Sequence, residues 1–471
     1  MLTLLLLLTL ATTPEPITGQ QGAANPPPAA ATAATPAAPS LDPAMIERVD
    51  AYLQAQQKVN GFSGTVLLAL NGDAKFKKGY GWANAEWEIP NAANTKFRVG
   101  SITKQFTSMV VMQLQEQGKL KVQDAICVHL SPCPDTWKAV TVHHLLTHTS
   151  GIPSYTGLPD FQKISILPKT TDEMIALFRD LPLEFEPGSG FKYNNSGYFL
   201  LGVIIEKVTG RKYEDVLRDQ IFTPVGMSDS GYDRSNVVLP RRAAGYGRNG
   251  EAIANARYLD MGQPYSAGSL YSTVEDLLKW DQALYADRLL PAAAKAVMFT
   301  PFKDNYAYGW VMPTPSPATF GRRQTTHGGG INGFSSMLIR LPDDKMTIVV
   351  LANNEFTNTG RIARDLLAIS LGEPYQTPVQ RVAITVDPAI FDSYAGRYQL
   401  RPDFIMTVTR EGDRLITQAT GQQKIEVFPE SETKFFAKVM DAQITFVKEG
   451  GKVTHLILHQ NGREQRAARM P

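Results

Sequence analysis

One tetrad constrains this chain more than any other feature: Ser101-Ile102-Thr103-Lys104. Apolar residues follow it at helical spacing, at Phe106, Met109, Val110 and Leu114. The spacing predicts a helix from Ser101 to about Gly118, where glycine can stop it. Residues three apart share a helix face, so the Ser101 hydroxyl and the Lys104 amine can meet at the helix N-terminus. The helix dipole favours negative charge there. A desolvated lysine loses its proton readily and can serve as a base. These are the requirements of a serine nucleophile that works without histidine. The tetrad alone is better read as a capped helix with a solvated lysine, so the rest of the chain has to decide.

The 471 residues suffice for two or three domains with a large buried core. Apolar content of 43% and charged content of 20% are ordinary for a globular chain. Net charge is only +2 and no dense Lys/Arg run occurs, so nucleic acid is not expected as a partner. Two cysteines, Cys127 and Cys133, exclude a disulfide scaffold. They either close one small loop or remain free buried thiols. Residues 2–11 form an apolar run too short to span a bilayer but of the length of a signal-peptide core, although no positive residues precede it. Export to a periplasmic or extracellular compartment is the expectation, with no stable membrane span.

Residues 1–24 read as a signal peptide and 25–42 as a disordered Ala/Pro-rich tether. An amphipathic helix is expected over 45–57. A hairpin is expected from Phe62–Leu70 and Ala74–Tyr80 around Asn71-Gly72-Asp73. Helical patterns dominate from Ser101 to about Leu290. Strand patterns return at Ser335–Arg340 and Met346–Ala352, and a helix follows near Arg361–Ile369. Strands at both ends with helices between them indicate one α+β domain over 43–372, its antiparallel sheet assembled from distant parts of the chain. Residues 373–384 read as a linker. Beyond it, over 385–471, short alternating segments read as an all-β barrel or sandwich: Phe404–Arg410, Arg414–Ala419, Lys424–Phe428, Lys434–Lys438, Gln443–Lys448 and Val453–His459.

Two further elements carry chemistry. Tyr193-Asn194-Asn195 lies before the helix-like run Gly197–Val208. A phenol near a lysine ammonium is pushed towards phenolate and can relay protons. An amide two residues on can bond both lysine and substrate. The plainer reading is a Tyr/Asn turn. His327-Gly328-Gly329-Gly330, followed by Asn332-Gly333-Phe334, reads either as an edge strand that lies close against a substrate or as a flexible hairpin loop.

Taken together, these residues resemble the serine β-lactamase and penicillin-binding-protein superfamily in its class C-like branch, whose signature includes S-x-x-K and a K-T-G element. The resemblance runs from about residue 45 to 370. It includes Phe97-Arg98-Val99-Gly100, Leu145-Leu146-Thr147-His148-Thr149-Ser150-Gly151-Ile152, Pro224-Val225-Gly226-Met227 and Ser266-Ala267-Gly268 leading into Asp276-Leu277. It implies a β-lactamase/transpeptidase-like fold. It implies that Ser101 is the acylated nucleophile, that Lys104 and Tyr193 form the base system, and that Asn195, His327, Gly328, Gly329 and Gly330 bind substrate. The N–H groups of Ser101 and Gly330 would form the oxyanion hole. His148 belongs to a family motif but reads as a satisfied core histidine. His143, His144 and His148 lack carboxylate support, so no metal and no cofactor are expected.

One departure bears on specificity. His327 stands where β-lactamases have the K-T-G lysine, so a fixed cation for the β-lactam carboxylate is missing. This H-x-G pattern looks like the D-aminopeptidases and esterases of the superfamily, and the C-terminal module is similar to their lipocalin-like additions. That module either shapes the pocket mouth or serves packing and solubility. The expected function is that of a serine hydrolase acting through an acyl-enzyme on a small-molecule or short-peptide substrate: small esters, or amides and peptides, including ones with D-residues. Two alternatives stand beside it: weak β-lactamase or DD-carboxypeptidase-like activity, and a catalytically idle binding or scaffold protein. The oligomeric state is not legible.

Overall fold

The computed structural model describes residues 38–250, 252–438, 442–460 and 463–471. The expected signal peptide and most of the expected tether lie outside the described residues. The tether's last residues are docked rather than free. The Ser40 N–H donates to Ser370 O at 2.7 Å, Leu41 packs on the sheet core, and Asp42 caps the first helix by accepting from the Met45 N–H at 2.9 Å. Composition could not show the apolar surface that receives Leu41.

That helix, α1 (Pro43–Asn60), ends at Gly61 with φ 70°. Strands β1 (Gly64–Leu70) and β2 (Asp73–Tyr80) form the expected hairpin. Its turn residues Asn71 and Gly72 have φ 54° and 83°, as a two-residue primed turn requires. Strands β3 (Thr325–Ile331), β4 (Phe334–Leu341) and β5 (Met346–Ala352) complete an antiparallel sheet of order β3-β4-β5-β1-β2. β1 pairs with β5 in the register Gly64↔Ala352, which ties the two ends of the domain together. Val66, Leu68, Ile348 and Val350 meet α1 on one face. Leu67, Ala69, Val349 and Leu351 join the helical region on the other. Burial on both faces explains why β1 and β5 read as unbroken apolar runs.

Helix α2 (Thr103–Glu116) and helix α3 (Asn195–Thr209) cross the helical region, and α4 (Thr359–Leu371) covers the outer face of the sheet. The mainly helical stretch from Ser101 to Leu290 also holds short strands. Leu270–Ser272 and Gly231–Tyr232 form a small sheet with Phe97–Arg98, and Tyr246–Asn249 pairs with Ala252–Asn255. Strands of two to four residues leave no period to detect.

The C-terminal module is a closed antiparallel barrel of eight strands between Gly396 and Arg469, built around Tyr398, Phe435, Phe446 and Leu456. The reading missed its first strand, Gly396–Arg401, its last, Arg463–Arg469, and the short helix Ile390–Tyr394 before it. The last strand carries three arginines and a glutamate, and Ala467 is its member of the barrel core. It is a strand because it closes the barrel, pairing Tyr398↔Arg469 and Gln399↔Ala468.

Cys127 and Cys133 form a disulfide across a sequence separation of 6. In the chain-entropy picture so small a loop contributes about 2 kcal/mol. Replacing both cysteines with alanine is expected to lower stability by no more than that. Denaturant midpoints of the variant and the reduced wild type check it.

Candidate active site

Ser101 does not open the long helix. It sits in a 3₁₀ turn, Gly100–Ile102, that feeds into α2. The turn is pinned from two sides. The Val99 N–H donates to Leu270 O at 2.9 Å, and the Ser336 hydroxyl donates to Val99 O at 2.9 Å. Gly100 has φ +51°, and a Cβ there would stand 3.0 Å from Gly330 N. A Cβ on Gly329 would strike Val99 O at 2.0 Å. Both positions require glycine, because strand β3 runs backbone against backbone beside the serine turn.

Lys104 is 0% exposed although it carries an amine. Its Nζ lies 2.9 Å from Asn195 Oδ1, 2.8 Å from Ala267 O and 3.1 Å from Ser101 Oγ. Among the described residues no carboxylate pairs with it, and burial holds the amine well below the usual lysine range. Its partners then specify its orientation. Asn195 Oδ1 and Ala267 O can only accept, so they take both N–H groups of a neutral amine. The lone pair is left for the Ser101 hydroxyl. The Asn195 amide is oriented for this by its other end, whose Nδ2 donates to Thr156 Oγ1 at 3.1 Å.

Tyr193 and Asn195 reach the site from the N-terminus of α3. Between them Asn194 is the helix cap: its side chain accepts from the Gly197 N–H at 2.8 Å. The Tyr193 ring centroid lies 4.8 Å from Lys104 Nζ, and Ser101 is near enough to its hydroxyl to favour the phenolate slightly. Although the ring is 38% exposed, its hydroxyl is turned inwards, and burial raises the phenol far more than Ser101 lowers it. The expectation of a phenol driven towards phenolate is therefore corrected. With no ammonium to favour the anion, desolvation wins and Tyr193 remains a neutral phenol. His148 is a core histidine as read, but not a satisfied one: its Nε2 is buried with no hydrogen-bond partner among the described residues. It is 1% exposed, its Nδ1 accepts from the Asn194 N–H at 3.0 Å, and Tyr193 and Tyr306 lie over it at 4.3 and 4.4 Å.

His327 departs from its expected place in the substrate site. It is 4% exposed and both ring nitrogens are engaged. Nδ1 lies 2.6 Å from Gly328 O and so carries the proton; Nε2 accepts from the Tyr306 hydroxyl at 3.0 Å. Burial is the largest cause that pushes its pKa down to about 4. The ring therefore braces strand β3 as a neutral group. A protein whose unfolded histidine titrates near 6.5 loses this contribution as pH falls from about 6.5 towards 4, on the order of 3 kcal/mol in all. His327→Gln is expected to flatten the melting temperature against pH over that window, and thermal melts of both proteins check it.

A cleft of ≈ 380 Å³ opens at Ser101, Asn195 and Gly330. Of the three glycines expected to bind substrate, Gly330 lines it; Gly328 and Gly329 do not, and Gly329 is taken up in packing against Val99. Tyr155, Thr156, Arg257, Asn332 and Glu355 also line the cleft, and the sequence reading assigned none of them a role. Thr156 stood close to the quoted His148 motif. Arg257, Glu355 and Tyr306 had no local signal. Among the described residues no barrel side chain lines this cleft. Phe436, Ala437 and Ala442 of the barrel instead face a second cavity, ≈ 490 Å³, with Gln56, Phe62 and Ile362. That favours packing over a share in the pocket mouth.

The residues 48–373 match the family model described as Beta-lactamase. The chain belongs to the β-lactamase family. Residues 380–469 match a second model, a domain of unknown function, DUF3471. Penicillin-binding protein 4* of Bacillus subtilis (strain 168) is 33% identical over 437 residues, covering 87% of this chain and 95% of that protein. The teichoic acid D-alanine hydrolase of Staphylococcus aureus is 27% identical over 346 residues, 72% of this chain and 81% of that protein. The octameric penicillin-binding protein homologue from Pyrococcus abyssi superposes with a TM-score of 0.63 at 26% identity, covering 90% of this chain and 99% of that one. This β-lactamase-family chain is a serine hydrolase of amide or ester bonds. Among its described residues no helix is long and apolar enough to cross a membrane.

Proposed function

We propose that the chain hydrolyses esters or amides of D-alanine and similar small D-amino acids through an acyl-enzyme on Ser101. The observation that carries this is the buried, unpaired Lys104 amine, whose only free direction points at Ser101 Oγ. In this mechanism Ser101 gives its proton to Lys104 and attacks the substrate carbonyl. The backbone N–H groups of Ser101 and Gly330 receive the oxyanion. Tyr193, a neutral phenol beside Ser101, delivers the proton to the leaving atom. Lys104 and Tyr193 thus pass one proton from nucleophile to leaving group, and water then releases the acid by the reverse route. Asn195 orients Lys104 and faces the substrate. The D-configured acyl group is supported by the relationship to the D-alanine hydrolase. The neutral, enclosed His327 supports esters and amides over β-lactams, because it offers no cation to a lactam carboxylate. Export is supported by the apolar run at 2–11 together with the Cys127–Cys133 disulfide.

The test is a fluorophosphonate label located by mass spectrometry, followed by turnover of matched D- and L-alanyl esters. Labelling confined to Ser101 with at least a tenfold preference for the D-ester is the expected result. Labelling elsewhere removes the nucleophile, and an L-preference removes the D-alanyl assignment.

A further inference from the structure

The cleft walls carry two charged side chains: Arg257 and Glu355. Neither forms an ion pair among the described residues, with the other or with any third group. Both are built on the same turn. The Asn332 side chain donates to Arg257 O at 3.0 Å, and Glu355 Oε2 accepts from the Gly333 N–H at 2.8 Å. This turn begins two residues after Gly330, at the end of the same strand, so both charges are positioned with respect to the oxyanion strand. From that shared base they diverge. The Glu355 carboxylate stays at the turn. The Arg257 guanidinium reaches to the short helix Phe161–Ile164, where it donates to Gln162 Oε1 at 3.0 Å and to Gln162 O at 3.1 Å. Two of its five N–H donors are used there and three are left for the cleft. Glu355 likewise keeps one oxygen free of any N–H partner.

An exposed arginine or glutamate is usually a solvated residue. Two features separate this pair from that case. Each is tethered at the cleft by hydrogen bonds to a neutral group, which fixes its position without cancelling its charge. They also supply what the rest of the site lacks, because Lys104 is enclosed and committed to Ser101 and His327 is a neutral, buried ring. A ligand with one charge of each sign is the complement of such walls.

We propose that the cleft selects zwitterionic substrates: Glu355 binds a free ammonium on the substrate and Arg257 binds its carboxylate or other acidic group. This deepens the proposed function and rests on it, since a D-alanyl acyl group with an unblocked amine brings the ammonium itself.

Four matched depsipeptides of D-alanine esterified to D-lactate test it: amine free or N-acetylated, carboxylate free or converted to its methylamide. Wild type is expected to prefer the free amine over the acetylated form and the free carboxylate over the amide, both preferences shrinking as salt rises. Arg257→Gln is expected to reduce the carboxylate preference about 5- to 30-fold, as for one charge-assisted contact at a half-exposed site, and to leave the amine preference in place. Glu355→Gln is expected to do the converse, and Arg257→Lys to keep part of the carboxylate preference. A uniform fall on all four compounds, or a wild type indifferent to either charge, overturns the proposal. The same compounds titrated into Ser101→Ala separate the two readings. Charge preference in binding without any wild-type turnover sinks the hydrolase reading alone; turnover by wild type without charge preference sinks the subsite alone.

Discussion

Ser101→Ala is expected to lower kcat by at least about 10³-fold, since covalent catalysis is lost while the oxyanion N–H groups remain. The fold should not change. The turn is held by Val99, by the Ser336 hydroxyl and by the approach of Gly100 to Gly330, none of which uses the Ser101 side chain. Steady-state kinetics on an activated ester, beside a thermal melt, read the two quantities separately. A variant that retains more than a tenth of wild-type turnover and melts normally would falsify the nucleophile.

Lys104→Ala is expected to cost about 10²- to 10⁴-fold in kcat, the range of a positioned general base. Its pH signature is more diagnostic than its size. Below the folded pKa of Lys104 the amine is an ammonium with three donors and no lone pair, so Ser101 has no base. Above it the neutral amine forms and activity appears. The acidic limb of kcat/KM should therefore rise through a pKa well below the usual lysine value, in the direction that burial imposes. Lys104→Arg keeps a permanent cation and should be inactive at every pH. Tyr193→Phe should impair the same step, and the double variant should be little worse than the poorer single, because the two act on one proton. Fully additive losses, or an acidic limb that survives Lys104→Ala unchanged, would show that the base lies elsewhere.

Much of the fold was legible because it is local. The α1 helix, the Asn71-Gly72 hairpin and the apolar runs of β1 and β5 all declare themselves by period, turn chemistry or continuity. The core of the site was legible for a related reason. Ser101 and Lys104 are three residues apart, and Tyr193 and Asn195 two, so each pair is placed by one helix terminus. What failed at this level were elements shorter than their own period, such as Leu270–Ser272. The barrel's last strand failed too, because closure rather than apolar content makes it a strand.

The residues themselves thus determined which groups could react. That Gly100 and Gly329 admit no Cβ follows from the tertiary structure, which sets Gly100 against Gly330 and Gly329 against Val99. Only the tertiary structure decided protonation and charge. Lys104 is held well below the usual lysine range because elements distant in sequence bury it, and among the described residues none of them brings a carboxylate. Tyr193 is a phenol for the same lack of a compensating charge. His327 is a buried brace because Tyr306 meets its ring from another loop. Arg257 and Glu355 share one cleft only because both fasten to the turn at Asn332 and Gly333. Desolvation and hydrogen-bond partners set a group's charge, and both come from parts of the chain that spacing cannot bring together.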